Sequence, residues 1–131
     1  MFNGVDHVVI AVKDLDAAIG RYETIYGTPA ADRTENAAAG MAMAFFRFGD
    51  SYIELVSATG DQGPIAKRLA DLGEGVHLVA MKVDNLEATL NDLREKGVRL
   101  VGDPGPGNPV KGQVFIHPSV TGGVLTQLVE R

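Results

Sequence analysis

Val12-Lys13-Asp14-Leu15-Asp16-Ala17-Ala18-Ile19 returns as Val83-Asp84-Asn85-Leu86-Glu87-Ala88-Thr89-Leu90, seventy-one positions further along the 131-residue chain. Each copy ends an apolar run, turns at an Asp or Asn suited to cap a helix, and opens a stretch with apolar residues at helical spacing. Ahead of the first copy, His7-Val8-Val9-Ile10-Ala11-Val12 is a β-branched run that reads as a strand. The same shift carries His7 onto Leu78. Further on, Ile53-Glu54-Leu55-Val56 resembles Thr126-Gln127-Leu128-Val129 at a shift of 73, with two residues inserted between the pairs. Two copies of one βαβββ unit thus make His7 equivalent to Leu78 and Glu54 equivalent to Gln127.

The remaining punctuation fits this frame. Leu15, Ala18, Ile19, Tyr22 and Ile25 recur at helical spacing, and Gly27 with Pro29 stops that helix. Residues 31–39 read as irregular. Residues 41–48 and 52–56 form a hairpin around Gly49-Asp50-Ser51. A short helix over 64–72 has proline in its first turn and ends at Gly73-Glu74-Gly75. The second unit gives a strand over 76–83, a helix over 86–96 closed by Gly97, and short strands over 99–101, 113–117 and 124–129. Between them Gly102-Asp103-Pro104-Gly105-Pro106-Gly107-Asn108-Pro109 is a loop of the kind that shapes a binding rim. No linker separates the halves, so the expectation is one domain over 1–131. Its modules run over about 4–60 and 75–131, joined by a helix at about 63–73. The class is α+β: two βαβββ modules forming a cupped mixed sheet with helices outside.

Composition excludes several functions. With 45% hydrophobic and 22% charged residues the chain has the balance of a globular protein. A net charge of −5, with scattered Lys and Arg, argues against nucleic-acid binding. No apolar run approaches the roughly 18–20 residues of a membrane span. The first residues lack a basic start and apolar core, so a cytoplasmic location with no membrane partner is expected. The absence of cysteine removes disulfides, thiolate nucleophiles and Cys-based metal sites. There is no GxSxG elbow, phosphate loop or dinucleotide fingerprint.

Three stretches carry a family resemblance. They are Asp6-His7-Val8-Val9-Ile10-Ala11-Val12, then Gly73-Glu74-Gly75-Val76-His77-Leu78-Val79-Ala80, then the run from His117-Pro118-Ser119 through Gly122-Gly123 to Thr126-Gln127-Leu128. Together they resemble the vicinal oxygen chelate (glyoxalase, bleomycin resistance, extradiol dioxygenase) superfamily, and within it the methylmalonyl-CoA epimerases. The resemblance implies paired βαβββ modules cupped around a divalent metal, usually in a homodimer. The family's metal positions fall on His7, Glu54, Leu78 and Gln127, so a ligand histidine is replaced by leucine and a glutamate by an amide. The family's third-strand base falls near Met43, and the lysine often found after His-Pro is Ser119.

These departures shape the functional expectation. His7, Glu54 and Gln127 would be the metal donors, the ion being Co, Ni, Zn, Mn or Mg, or absent because three donors with one apolar neighbour make a weak site. Glu54 is the only acidic residue at the four equivalent positions and is the expected general base. Inversion alpha to a thioester needs a base on each face of the carbon, so a one-sided isomerase or lyase acting on a small carbonyl or acyl-thioester is also open. Met43, Phe45, Leu78, Lys111 and Phe115 are expected to contact the substrate. By alternation, half of Met41, Met43, Phe45, Phe46 and Phe48 belong to the core and half to the cavity. The alternative class is a metal-free protein that binds or sequesters a small molecule in the same cup. Structural readings stand beside each residue: His7 bonded within the core, Glu54 paired with Lys82 or Arg47, and Gln127 satisfying a buried amide. His77 and His117 read as structural.

Overall fold

The computed structural model describes residues 1–131. It has eight strands and three α-helices in a mixed α+β arrangement. The strands are β1 (Phe2–Ala11), β2 (Asp32–Asn36), β3 (Met41–Phe48), β4 (Ser51–Ala58), β5 (Gly75–Val83), β6 (Leu100–Val101), β7 (Val114–Ile116) and β8 (Thr126–Glu130). The helices are α1 (Leu15–Tyr26), α2 (Pro64–Leu72) and α3 (Leu86–Glu95). No helix is long and apolar enough to cross a membrane. The chain divides into two compact units, one of residues His7–His77 and one of Met1–Asp6 with Leu78–Arg131.

In the His7–His77 unit the strands run in the order β2-β3-β4-β1. β1 lies parallel to β4, and the β2–β3 and β3–β4 pairs are antiparallel. α1 forms because its apolar residues line one stripe and its ends are capped. Asp14 accepts from the Ala17 N–H at 3.1 Å, and Gly27 adopts φ 68, a conformation that L side chains resist. That stripe covers one sheet face, where Ala42, Ala44, Phe46 and Leu55 join Val12, Leu15 and Ala18 in the core. Gly49, at φ 59, opens the two-residue turn between Phe48 and Ser51.

The other unit runs β5-β8-β7-β6, with β5 parallel to β8 and the remaining pairs antiparallel. Asn85 caps α3 through the Ala88 N–H at 3.0 Å. Leu90 and Leu93 of α3 pack on Val114 and Leu128. The N-terminal segment belongs here. Asp84 N–H donates to the Met1 carbonyl at 3.1 Å, and Arg131 meets the buried Asp6 at 3.0 Å.

The structure corrects several sequence readings. Residues 31–39 are not irregular throughout, because Asp32–Asn36 forms an edge strand. All five residues are exposed, so no apolar alternation marks it; its order comes from pairing with β3. β1 starts at Phe2, ahead of the β-branched run, because its first residues pack with the second unit. α3 ends at Glu95, with Lys96 as its cap. β6, β7 and β8 are shorter than the sequence readings or begin later, next to Gly- and Pro-containing loops.

Candidate functional site

The register of the parallel pairs reproduces the repeat found in the sequence. Across β1–β4, Val9 stands opposite Glu54, with His7 two residues earlier opposite Tyr52. Across β5–β8, Ala80 stands opposite Gln127, with Leu78 two residues before Ala80. His7 and Leu78 therefore occupy one equivalent rung of the fold, and Glu54 and Gln127 the other.

In the first unit, strand alternation sends His7, Val9, Tyr52, Glu54, Met43, Phe45 and Arg47 to the sheet face away from α1. Phe45 is directly opposite Glu54, Met43 opposite Val56, and Arg47 opposite Tyr52. His7 is buried and its ring stacks on Tyr52, with centroids 4.5 Å apart and planes 9° apart. Tyr52 also meets Phe45 edge-on at 5.7 Å. The Arg47 guanidinium sits 5.3 Å from the Tyr52 ring centre and 5.5 Å from that of Phe45. The sequence reading brought His7, Glu54, Met43 and Phe45 to this site. It missed Tyr52 and Arg47 as members, although both share strand parity with residues it did select.

Glu54 is partly buried between β1 and β3, and its carboxyl makes no hydrogen bond or ion pair within this unit. The suggested pair with Arg47 does not form; Arg47 instead approaches Asp32 at 3.5 Å. Removal from water, uncompensated by a cation, pushes the Glu54 carboxyl up to about 7. It is thus divided between acid and base near neutrality, the condition in which one carboxyl both takes and returns a proton. The surrounding Val9, Val56 and Phe45 supply the apolar environment that causes the shift.

In the second unit Gln127 is flanked by Ala80 on β5 and Phe115 on β7, and all three share a face with Leu78. Lys111 is exposed and lines a separate recess with Gly102, Pro104, Asn108 and Pro109. His117 accepts the Ser119 N–H at 3.0 Å and caps the short 3₁₀ turn Pro118–Val120, a structural role. His77 is partly buried, and burial together with Arg68 lowers its pKa.

The chain gathers no group of three His, Cys, Asp or Glu side chains able to hold a metal ion. In the first unit the donors are one imidazole and one carboxyl. In the second, the equivalent rungs carry an amide and a leucine that has no donor atom. Across the equivalent rungs the chain thus carries one imidazole, one carboxyl and one amide, with no donor at Leu78.

A parallel β1–β4 pair under a capped helix, repeated with the same register, defines the class. The profile of the Glyoxalase/Bleomycin resistance protein/Dioxygenase superfamily matches residues 6–115, and the chain belongs to this superfamily. Within it, the chain is similar to the methylmalonyl-CoA epimerases. It is 33% identical over 129 residues to the mitochondrial methylmalonyl-CoA epimerase of Homo sapiens, covering 95% of this chain and 72% of that protein. It is 30% identical over 131 residues to the ethylmalonyl-CoA/methylmalonyl-CoA epimerase of Cereibacter sphaeroides, covering 98% of each. A leucine-for-glutamate variant of Streptomyces coelicolor methylmalonyl-CoA epimerase, solved with 2-nitronate-propionyl-CoA, superposes at TM-score 0.82. That match has 34% identity and covers 99% of this chain and 95% of that one.

Proposed function

We propose that this protein is an isomerase of the methylmalonyl-CoA epimerase type, in which Glu54 moves a proton at the carbon alpha to an acyl-CoA thioester carbonyl. The observation that carries this reading is the position of Glu54, an unpaired, partly buried carboxyl between β1 and β3 on the face that also holds the His7–Tyr52 stack. Such a proton is weakly acidic, and its removal is helped by a base whose own affinity for protons lies near the working pH. An ionised Glu54 takes the proton from one face of the carbon, and inversion is complete when a second acid delivers a proton to the opposite face. The apolar walls keep water from competing for the exchanging proton. His7, held flat against Tyr52, is a candidate donor to the oxygen on which enolate charge develops. Each role named here is carried by the chain's own side chains. Similarity to the human and C. sphaeroides epimerases supports the substrate class.

Incubating the protein with methylmalonyl-CoA in heavy water, and following deuterium entry at the alpha carbon by NMR, tests the reading. Exchange in the native protein that falls about 10²- to 10⁴-fold in Glu54→Gln is the expected result. Native exchange that survives the substitution, or no exchange at all, overturns it. A second reading, small-molecule binding without catalysis, is favoured by the apolar pair Leu78 and Phe115 beside Gln127. It requires tight binding of the thioester with no exchange in the native protein.

A further inference from the structure

We propose that Arg47 determines substrate specificity by binding a carboxylate carried on the reacting carbon of the thioester. The inference rests on the assignment of the Glu54 face as the substrate site and names the group within it that selects a malonyl-type over a simple acyl thioester.

The argument begins with charge. A malonyl-type substrate brings a carboxylate next to the carbon from which Glu54 must take a proton. Two carboxylates near one apolar site repel each other, and each loses hydration. A cation on the same face is needed to offset this. The four strands of this unit carry two basic residues, Arg33 and Arg47. Arg33 stands opposite Ala44, on the side of α1, and bonds Asp16 at the start of that helix at 3.1 Å. Arg47 alone lies on the Glu54 face.

Its placement suits the task. Arg47 is opposite Tyr52, and Glu54 is two residues beyond Tyr52 on the same strand face. That diagonal separates the side-chain origins by about 7–8 Å, which leaves room for a carboxylate and the carbon that bears it. The guanidinium sits near the rings of Tyr52 and Phe45 at 5.3 and 5.5 Å. Contact with these rings restrains the group and still leaves N–H donors along its edge for a planar, two-pronged carboxylate contact. Its one protein partner is weak: Asp32 at 3.5 Å, with both side chains more than half exposed. A substrate carboxylate can displace or share that partner at little cost.

The test is calorimetric binding of malonyl-CoA and propionyl-CoA, which share the CoA portion and differ in the carboxylate. The native protein is expected to prefer malonyl-CoA. In Arg47→Gln malonyl-CoA should weaken roughly ten- to hundredfold, propionyl-CoA should be unchanged, and the preference should vanish. Arg47→Lys should recover part of it, because an ammonium keeps the charge and loses the fork. Asp32→Asn separates binding from structure: it frees Arg47, so malonyl-CoA should bind as tightly or more tightly. No native preference, a preference that persists in Arg47→Gln, or an equal loss in Asp32→Asn overturns the proposal. Because these are binding ratios, the idea can fail while Glu54-dependent exchange stands. It can also hold if Glu54→Gln leaves exchange intact.

Discussion

Glu54 and Gln127 stand on the same rung of their two repeats, Glu54 opposite Val9 on β1 and Gln127 opposite Ala80 on β5. One rung keeps an acid and the other an amide of the same shape, so the chain itself contains the precedent for replacing Glu54 by glutamine. That substitution removes an ionisable group with little change in volume. It should therefore separate proton chemistry from packing.

The pH dependence of stability follows from the raised Glu54 carboxyl. Unfolding returns it from about 7 to its ordinary 4.5, so between these values the folded state holds more protons than the unfolded one. Stability from this group is complete below about 4.5 and is lost as pH rises through about 7, by at most about 3 kcal/mol. Glu54→Gln should match the native protein in denaturant unfolding at pH 4.5 and exceed its stability at pH 8, while losing exchange activity. Equal stability at both pH values would show that the carboxyl is not held away from water.

The stack of His7 on Tyr52 gives a second expectation. Parallel rings 4.5 Å apart add about 1 kcal/mol beyond the area they bury. Tyr52→Leu keeps apolar bulk but loses the stack and the ring beneath Arg47. It should lower unfolding free energy by about 1 kcal/mol and reduce the malonyl-CoA preference, both read on one preparation. Unchanged stability with normal exchange would remove the stack from the site.

How far the sequence carried the fold can be judged residue by residue. Asp14 and Gly27 marked both ends of α1, and alternation along β3 set Met43 and Phe45 on the face opposite the buried Phe46. These signals are local: a cap, a left-handed glycine, a period of two. β2 was illegible because Asp32-Arg33-Thr34-Glu35-Asn36 owes its strand conformation to β3 alone. Arg47 was weighed only as an ion-pair partner, because a basic residue at a strand end carries no sign of the rings it will rest on. Tyr52 shared Glu54's parity, yet its contact with His7 depends on how β1 registers with β4. The elevated carboxyl of Glu54 arises from burial, which no single stretch encodes.

The proline- and glycine-rich loop is held by Arg94 and Asp103. Arg94 donates to Asp103 from Nε at 2.9 Å and from a second guanidinium nitrogen, and Asp103 also accepts the Gly105 N–H at 3.0 Å. The Arg94 hydrogen bond holds the Asp103 carboxyl below its usual value. Its contribution is therefore present above the unfolded carboxylate pKa and is lost as pH falls through the lower, folded one. Asp103→Asn should raise amide hydrogen exchange at Gly105 and Asn108 at neutral pH without altering the Glu54 chemistry. Exchange as slow as in the native protein would mean that the loop is ordered by other contacts.

Chelation separates this site from a metal-dependent one. An ion held by His7 and Glu54 alone would have two protein donors, and the equivalent rungs add only an amide and the apolar Leu78. First-row divalent ions and magnesium take about four to six ligands, and two protein donors leave most positions to exchangeable water. Metal in the purified protein should accordingly fall well below one equivalent by elemental analysis. Dialysis against EDTA should leave alpha-proton exchange within about twofold, and added Co²⁺ or Mn²⁺ should not stimulate it. If chelation abolished exchange and one of these ions restored it, Glu54 would act as ligand instead of base.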